Sequence, residues 1–261
     1  MDETLLAAPV AAVLAALGGL AVPRLVASVP EPAPEAEPAP APETAPVGRG
    51  EHDVVLDAGP EPEPPKMLYA DIAARPGLGW RSAVLAAVSG GLVGSATGLD
   101  WPLLWLVPLV PVAVALSVID WHTRLLPRRI VIPATLAAIV VVTAVGLATG
   151  ERDALVRALL GMVVARSFFW VLWFLRSAGM GFGDVRLAAP VGLVLGWVGW
   201  DALAIGVWTG FVAFALPALV LVLVRRDRSM LKKSFPFGPF MVIGALVGLV
   251  WGTALAGRIW G

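Results

Sequence analysis

The sequence predicts an all-α protein: a polytopic membrane bundle of about eight transmembrane helices, with one disordered, Pro/Glu-rich cytoplasmic linker. Three observations carry that expectation. Of 261 residues, 58% are hydrophobic and 15% charged, with a mean hydropathy of +0.84; a soluble domain has about 45–50% and about 25%. The apolar residues gather into runs near the length of about 20 that crosses the hydrocarbon of a bilayer. The loops between those runs alternate in charge. A water-soluble globular enzyme, a collagen-like chain and a wholly disordered chain are thereby excluded. The chain has no cysteine, which excludes a disulfide framework, a Cys-based zinc site and a thiol nucleophile. With only His52 and His122 as histidines, no metal or other cofactor is expected.

The first run spans residues 5–26. It follows the acidic start Met1-Asp2-Glu3-Thr4 and is longer than a signal-peptide core, so residues 1–29 are expected to hold a retained first helix. Residues 30–71 form the linker. They include the runs PEPAPEAEPAPAPETAP and EPEPP, and ten acids stand there against Arg49 and Lys66. Proline keeps such backbone extended and the carboxylates repel, so no packed core is expected. Residues 72–261 form the membrane core, with runs at roughly 82–98, 101–119, 129–149, 154–175, 186–200, 203–224 and 239–257. Only Gly199-Trp200-Asp201 divides the sixth and seventh spans of the chain.

Charge orients these spans. Arg124, Arg128 and Arg129 follow the third span, Arg176 and Arg186 flank the fifth loop, and Arg225 to Lys233 follow the seventh. By the positive-inside rule these loops, Arg24 and the linker face the cytoplasm, and both termini lie outside. The opposite loops carry Asp100, Glu151, Asp153 and Asp201, with Arg152 as their base. Trp80, Trp101, Trp121 and Trp200 fall at span ends as interfacial anchors. Gly90, Gly94 and Gly98, and Gly192 and Gly196, are spaced for close helix contact. The bases are scattered between apolar spans, so the only non-protein partner expected is the lipid bilayer, with no nucleic acid.

Ionisable groups at the edge of hydrocarbon are candidates for function. Asp100 and Asp201 sit at outer span ends, where water suffices for them. Arg166, mid-span, can snorkel, pair with an acid or mark a shifted register. His122, in the loop beside Trp121, reads as a solvated residue before a catalytic one. Asp120 and Asp184 fall together on the cytoplasmic side. Asp184 ends Gly179-Met180-Gly181-Phe182-Gly183-Asp184, whose glycines allow unusual backbone angles and close approach by an extended peptide. Two such acids are either separate helix-cap residues or a dyad sharing one proton. In a dyad the ionised member takes a proton from water and the protonated one supports the oxyanion. Two other readings remain: a small transporter or proton-coupled channel using the same acids, and an inactive membrane scaffold.

Four segments carry a family resemblance. Gly181-Phe182-Gly183-Asp184 with Val185-Arg186-Leu187 resembles the GxGD-x-[KR]-L signature of prepilin peptidases, the type IV leader peptidases. Asp120 with Pro127 and Pro133 is similar to that family's first aspartate segment. Residues 17–32 resemble the end of its first helix, and Ser234 to Phe240 the PFGP start of its last. The resemblance implies an aspartic endopeptidase that removes the leader of type IV prepilins or pseudopilins at the cytoplasmic face of the plasma (inner) membrane. It implies Asp120 and Asp184 as the catalytic pair, with Gly181, Gly183 and Arg186 supporting the substrate loop. Where many members carry a cysteine-bearing zinc insert, this chain has the Pro/Glu tract. Peptidase activity alone is therefore expected, without N-methylation. Arg128 stands where an acidic residue often follows the loop proline, so no role is carried to it.

Overall fold

The computed structural model describes residues 3–31, 67–175, 180–225 and 236–260. Among them the chain is helical, with no strand. The helices are α1 (Glu3–Leu20), α2 (Val22–Ala27), α3 (Tyr69–Ala73), α4 (Leu78–Thr97), α5 (Leu103–Thr123), α6 (Arg128–Ala148), α7 (Arg152–Leu175), α8 (Phe182–Val198), α9 (Trp200–Arg225) and α10 (Gly238–Ile259). Each expected span coincides with a helix. The first is broken at Ala21, where Pro23 starts α2 afresh. Gly199 alone separates α8 from α9. Five of the described helices (α5, α6, α7, α9 and α10) are long and apolar enough to cross a membrane, which makes this an integral membrane protein. Most of the expected linker, residues 32–66, lies outside the described residues, as do Arg176, Gly179 and the basic run from Arg226 to Lys233.

Lipid tails are as apolar as leucine, so helices in a bilayer associate through close packing more than through escape from water. Three antiparallel pairs do this with small residues. In α1–α4, a Cβ on Gly90 would stand 2.7 Å from the Ala11 carbonyl oxygen, and one on Gly94 2.5 Å from that of Ala7. In α7–α8, a Cβ on Gly192 would stand 2.4 Å from the Gly161 carbonyl oxygen. In α9–α10, Gly244 meets the Gly206 carbonyl equally closely, at 2.4 Å. Gly98, expected in such a seam, instead ends α4 at φ +74°, a left-handed angle open to glycine.

Helix α5 lies among the pairs and touches α1, α2, α3, α4, α6 and α10. Its side chains Trp105, Leu116 and Ile119 are fully or nearly fully buried. It stops at Arg124, which closes the helix at φ +55° and donates its N–H to the Asp120 carbonyl at 2.8 Å. Leu126, in the following turn, packs on Gly183, where an added Cβ would come within 2.8 Å of the leucine's own. The end of α5 and the start of α8 therefore share one end of the bundle.

Candidate active site

Among the described residues only three buried side chains are polar: Ser82, Asp120 and Asp184. The two aspartates are 3% and 6% exposed, which is costly for carboxylates unless hydrogen bonds and partners compensate. They come to the same place from different helices, the last turn of α5 and the first turn of α8. They are near enough for the charge of Asp120 to act on Asp184.

Each carboxylate is fixed by one backbone amide. Asp184 Oδ2 accepts from the Gly181 N–H at 3.1 Å, and the Asp184 N–H donates back to the Gly181 carbonyl at 3.1 Å. This reciprocal pair starts α8 and orients Asp184 from within its own loop. Gly181 has φ −74° and ψ 147°, an ordinary extended conformation. The glycine at 183 serves the contact with Leu126 instead of a special backbone angle. That corrects the expectation that these glycines supply unusual angles.

Asp120 Oδ2 accepts from the Gly238 N–H at 2.9 Å, across 118 residues of chain. Gly238 opens α10, and Phe237 before it is wedged among Phe211, Phe214 and Phe169, with ring centroids 5.2, 5.3 and 5.9 Å away. That aromatic cluster places the first amide of α10 against Asp120. A Cβ on Gly238 would lie 2.8 Å from Asp120 Oδ2, so any larger residue would have to displace the carboxylate or α10. The sequence singled out the Phe-Gly-Pro segment as a motif but assigned Gly238 no role.

Arg186 lies one turn after Phe182 on α8, its guanidinium 4.8 Å from the centroid of the Phe182 ring. Trp173 meets the same ring edge-on at 5.0 Å. The arginine thus keeps a positive charge beside the start of α8 while bracing Phe182. His122 is half-buried and spends both ring nitrogens on protein: Nδ1 on the Val118 carbonyl at 2.8 Å, and Nε2 on Arg75. With Nδ1–H donating, Nε2 accepts from the guanidinium; His122 thus stands in the last turn of α5 with protein partners on both nitrogens, which corrects the expectation of a solvated loop residue. Arg166 is exposed on α7, away from the aspartates. One turn into the bundle, Leu116 and Leu187 begin an apolar cavity of about 130 Å³ between α4, α5, α6, α8 and α10. No group of three or more His, Asp or Glu among the described residues is placed to hold a metal ion.

With this geometry in place, comparison with known proteins is informative. The sequence pattern of the type IV leader peptidase family matches residues 106–257, more than half of the chain and both aspartates. A prepilin leader peptidase/N-methyltransferase of Aeromonas hydrophila is 30% identical over 173 residues, 66% of this chain and 58% of that protein. One from Burkholderia pseudomallei (strain K96243) is 32% identical over 180 residues, covering 67% and 56%. One from Pseudomonas aeruginosa is 29% identical over 170 residues, covering 65% and 57%. The chain thus spans a little over half the length of these relatives. No solved structure matches it. A family pattern that runs through both buried aspartates, and relatives that agree along two thirds of the chain, establish that this protein belongs to the type IV leader peptidase family.

Proposed function

We propose that the protein is an aspartic endopeptidase that cleaves the leader from type IV prepilins or pseudopilins. The observation that carries this reading is the pair of buried carboxylates at one end of the bundle, each accepting a backbone amide at Oδ2. Among the described residues the Oδ1 atoms take no hydrogen bond, which leaves them for water and substrate. Two carboxylates in one poorly solvated site hold a single proton between them. The ionised aspartate removes a proton from water as its oxygen attacks the scissile carbonyl carbon. The protonated aspartate donates to the developing oxyanion, and the proton then passes to the leaving amine. Gly181, Gly183 and Arg186 support the loop on which the substrate backbone rests. The substrate's apolar segment lies against the membrane helices, and its leader stays outside the bilayer.

Helices α5, α7 and α9 end, and α6, α8 and α10 begin, on the dyad side; with the bases that the sequence carries between them, the positive-inside rule supports cleavage at the cytoplasmic face of the plasma (inner) membrane. The chain has no cysteine, so single cysteines at 126 and 182 test this directly. They should resist a membrane-impermeant thiol reagent added to intact cells; labelling would invert the topology. Transport by the same acids has no support: both sit at one end, and the family is a peptidase one.

Co-expression with a prepilin, read by the gel shift on leader removal, tests the activity. Asp120→Ala and Asp184→Ala should each abolish the shift, and processing at the parent level by either would overturn the assignment. Peptidase activity alone is proposed, so mass spectrometry should find the mature pilin with an unmethylated N-terminus; a methyl group there would refute that restriction.

A further inference from the structure

The last turn of α5 has a second set of contacts besides those of the dyad. His122 lies about 200° around the helix from Asp120, at about 100° per residue. It faces Arg75, whose guanidinium also donates to Met67 Sδ at 3.3 Å. Thr123 bonds the Ile119 carbonyl at 2.8 Å, and Tyr69, the only tyrosine of the chain, is buried at the start of α3. Met67, Tyr69 and Arg75 belong to α3 and its flanks, and α3 also buries Ile72 completely.

A five-residue helix has no stability of its own, because nucleation costs more than one turn of hydrogen bonds returns. What seats α3 is Glu31, at the end of the first membrane segment. Its Oε2 accepts from the Tyr69 N–H at 3.0 Å and its Oε1 from the Ala70 N–H at 2.9 Å. Both are charge-assisted bonds to otherwise orphaned amides of the first turn. No described side chain of α3 caps its own start. One carboxylate therefore joins the stretch after α2 to α3, and Arg75, just past α3, holds His122, two residues after Asp120 in the last turn of α5.

We propose that Glu31 is a positioning residue for Asp120, acting through α3 and the Arg75–His122 hydrogen bond to hold the last turn of α5 in register with Gly238 and Asp184. The proposal rests on the reading of Asp120 as catalytic, but the coupling it asserts is physical and has a readout of its own. Glu31 touches neither aspartate, so its loss shifts the geometry of the site while leaving the substrate-binding surface in place.

The test uses the full chain in detergent, with a prepilin as substrate. Glu31→Ala should lower kcat on the order of tenfold, the scale of a sub-ångström misplacement, while KM stays within about twofold. Glu31→Gln keeps both acceptor geometry and bulk at one amide and should fall between Ala and the parent. In a double-mutant cycle Arg75→Ala should add little to Glu31→Ala, because both break the same chain of contacts. A Glu31→Ala enzyme with parental kcat, or two losses that multiply in full, would overturn the proposal. Hydrogen exchange separates this from the peptidase reading. Glu31→Ala should speed exchange at residues 69–73 and also at 119–124, whatever the activity. Unchanged exchange at 119–124 refutes the positioning role; absent cleavage by the parent refutes the peptidase reading alone.

Discussion

Asp184 and Asp120 are buried to nearly the same extent, yet their support differs in kind. Asp184 is held by Gly181, three residues before it, through a loop-to-helix turn complete within one short segment. Asp120 is held by Gly238 from a helix at the far end of the chain, and braced behind by α3 and Glu31. The first is a local device; the second exists only when three parts of the bundle have assembled. The same division runs through the fold. The α1–α4, α7–α8 and α9–α10 pairs close at glycines where an added Cβ would stand about 2.4–2.7 Å from the facing backbone, whereas α5 lies between them without such a seam. The site is therefore built across the boundaries of rigid pairs, one aspartate on a pair and the other on the helix they enclose. Perturbing the long-range support should cost more than perturbing the local one.

Substitutions can sharpen or break that contrast. Gly238→Ala, whose Cβ would lie 2.8 Å from Asp120 Oδ2, should lower cleavage on the order of 10²-fold by displacing α10 or the carboxylate. Steady-state assay of purified protein checks this, and a parental rate would show that the Gly238 amide is dispensable. Gly192→Ala forces a Cβ to 2.4 Å from the Gly161 carbonyl oxygen. It should destabilise the α7–α8 pair by about 1–3 kcal/mol, read as a lower Tm in detergent. Arg124→Gly relieves a left-handed φ of +55° and should stabilise by about 1 kcal/mol, visible as a small rise in Tm. Gly181→Ala is the mildest: φ is −74° and the new Cβ would be 3.7 Å from Asp184 Oδ2. Its rate should stay within about twofold of the parent.

That last expectation runs against what the motif alone implies, and it shows where sequence reading stops. Gly181 and Gly183 stand out in the sequence because they flank an aspartate, but spacing does not say which one meets a neighbour. The structure answers through Leu126, a residue with no motif value that needs Gly183 and not Gly181. The helices were legible because hydropathy and span length depend on local composition alone, and the break at Gly199 followed from a glycine between apolar runs. The break at Ala21 was not marked, since Pro23 is equally acceptable in a first turn. Gly238 was visible only as part of a motif; its amide–carboxylate bond joins positions 118 residues apart. Glu31 was hidden among the acids of a tract that reads as repulsive and unstructured. Its carboxylate gains meaning only once Tyr69 and Ala70 are brought back to it.

Asp120 and Asp184 are proposed to act as one unit, which leader cleavage by Asp120→Asn, Asp184→Asn and the double variant measures. If the two share a proton and activate one water, each single variant should fall by about 10²-fold or more and the double variant should fall no further. A single variant that cleaves prepilin at the parental rate would contradict the shared site.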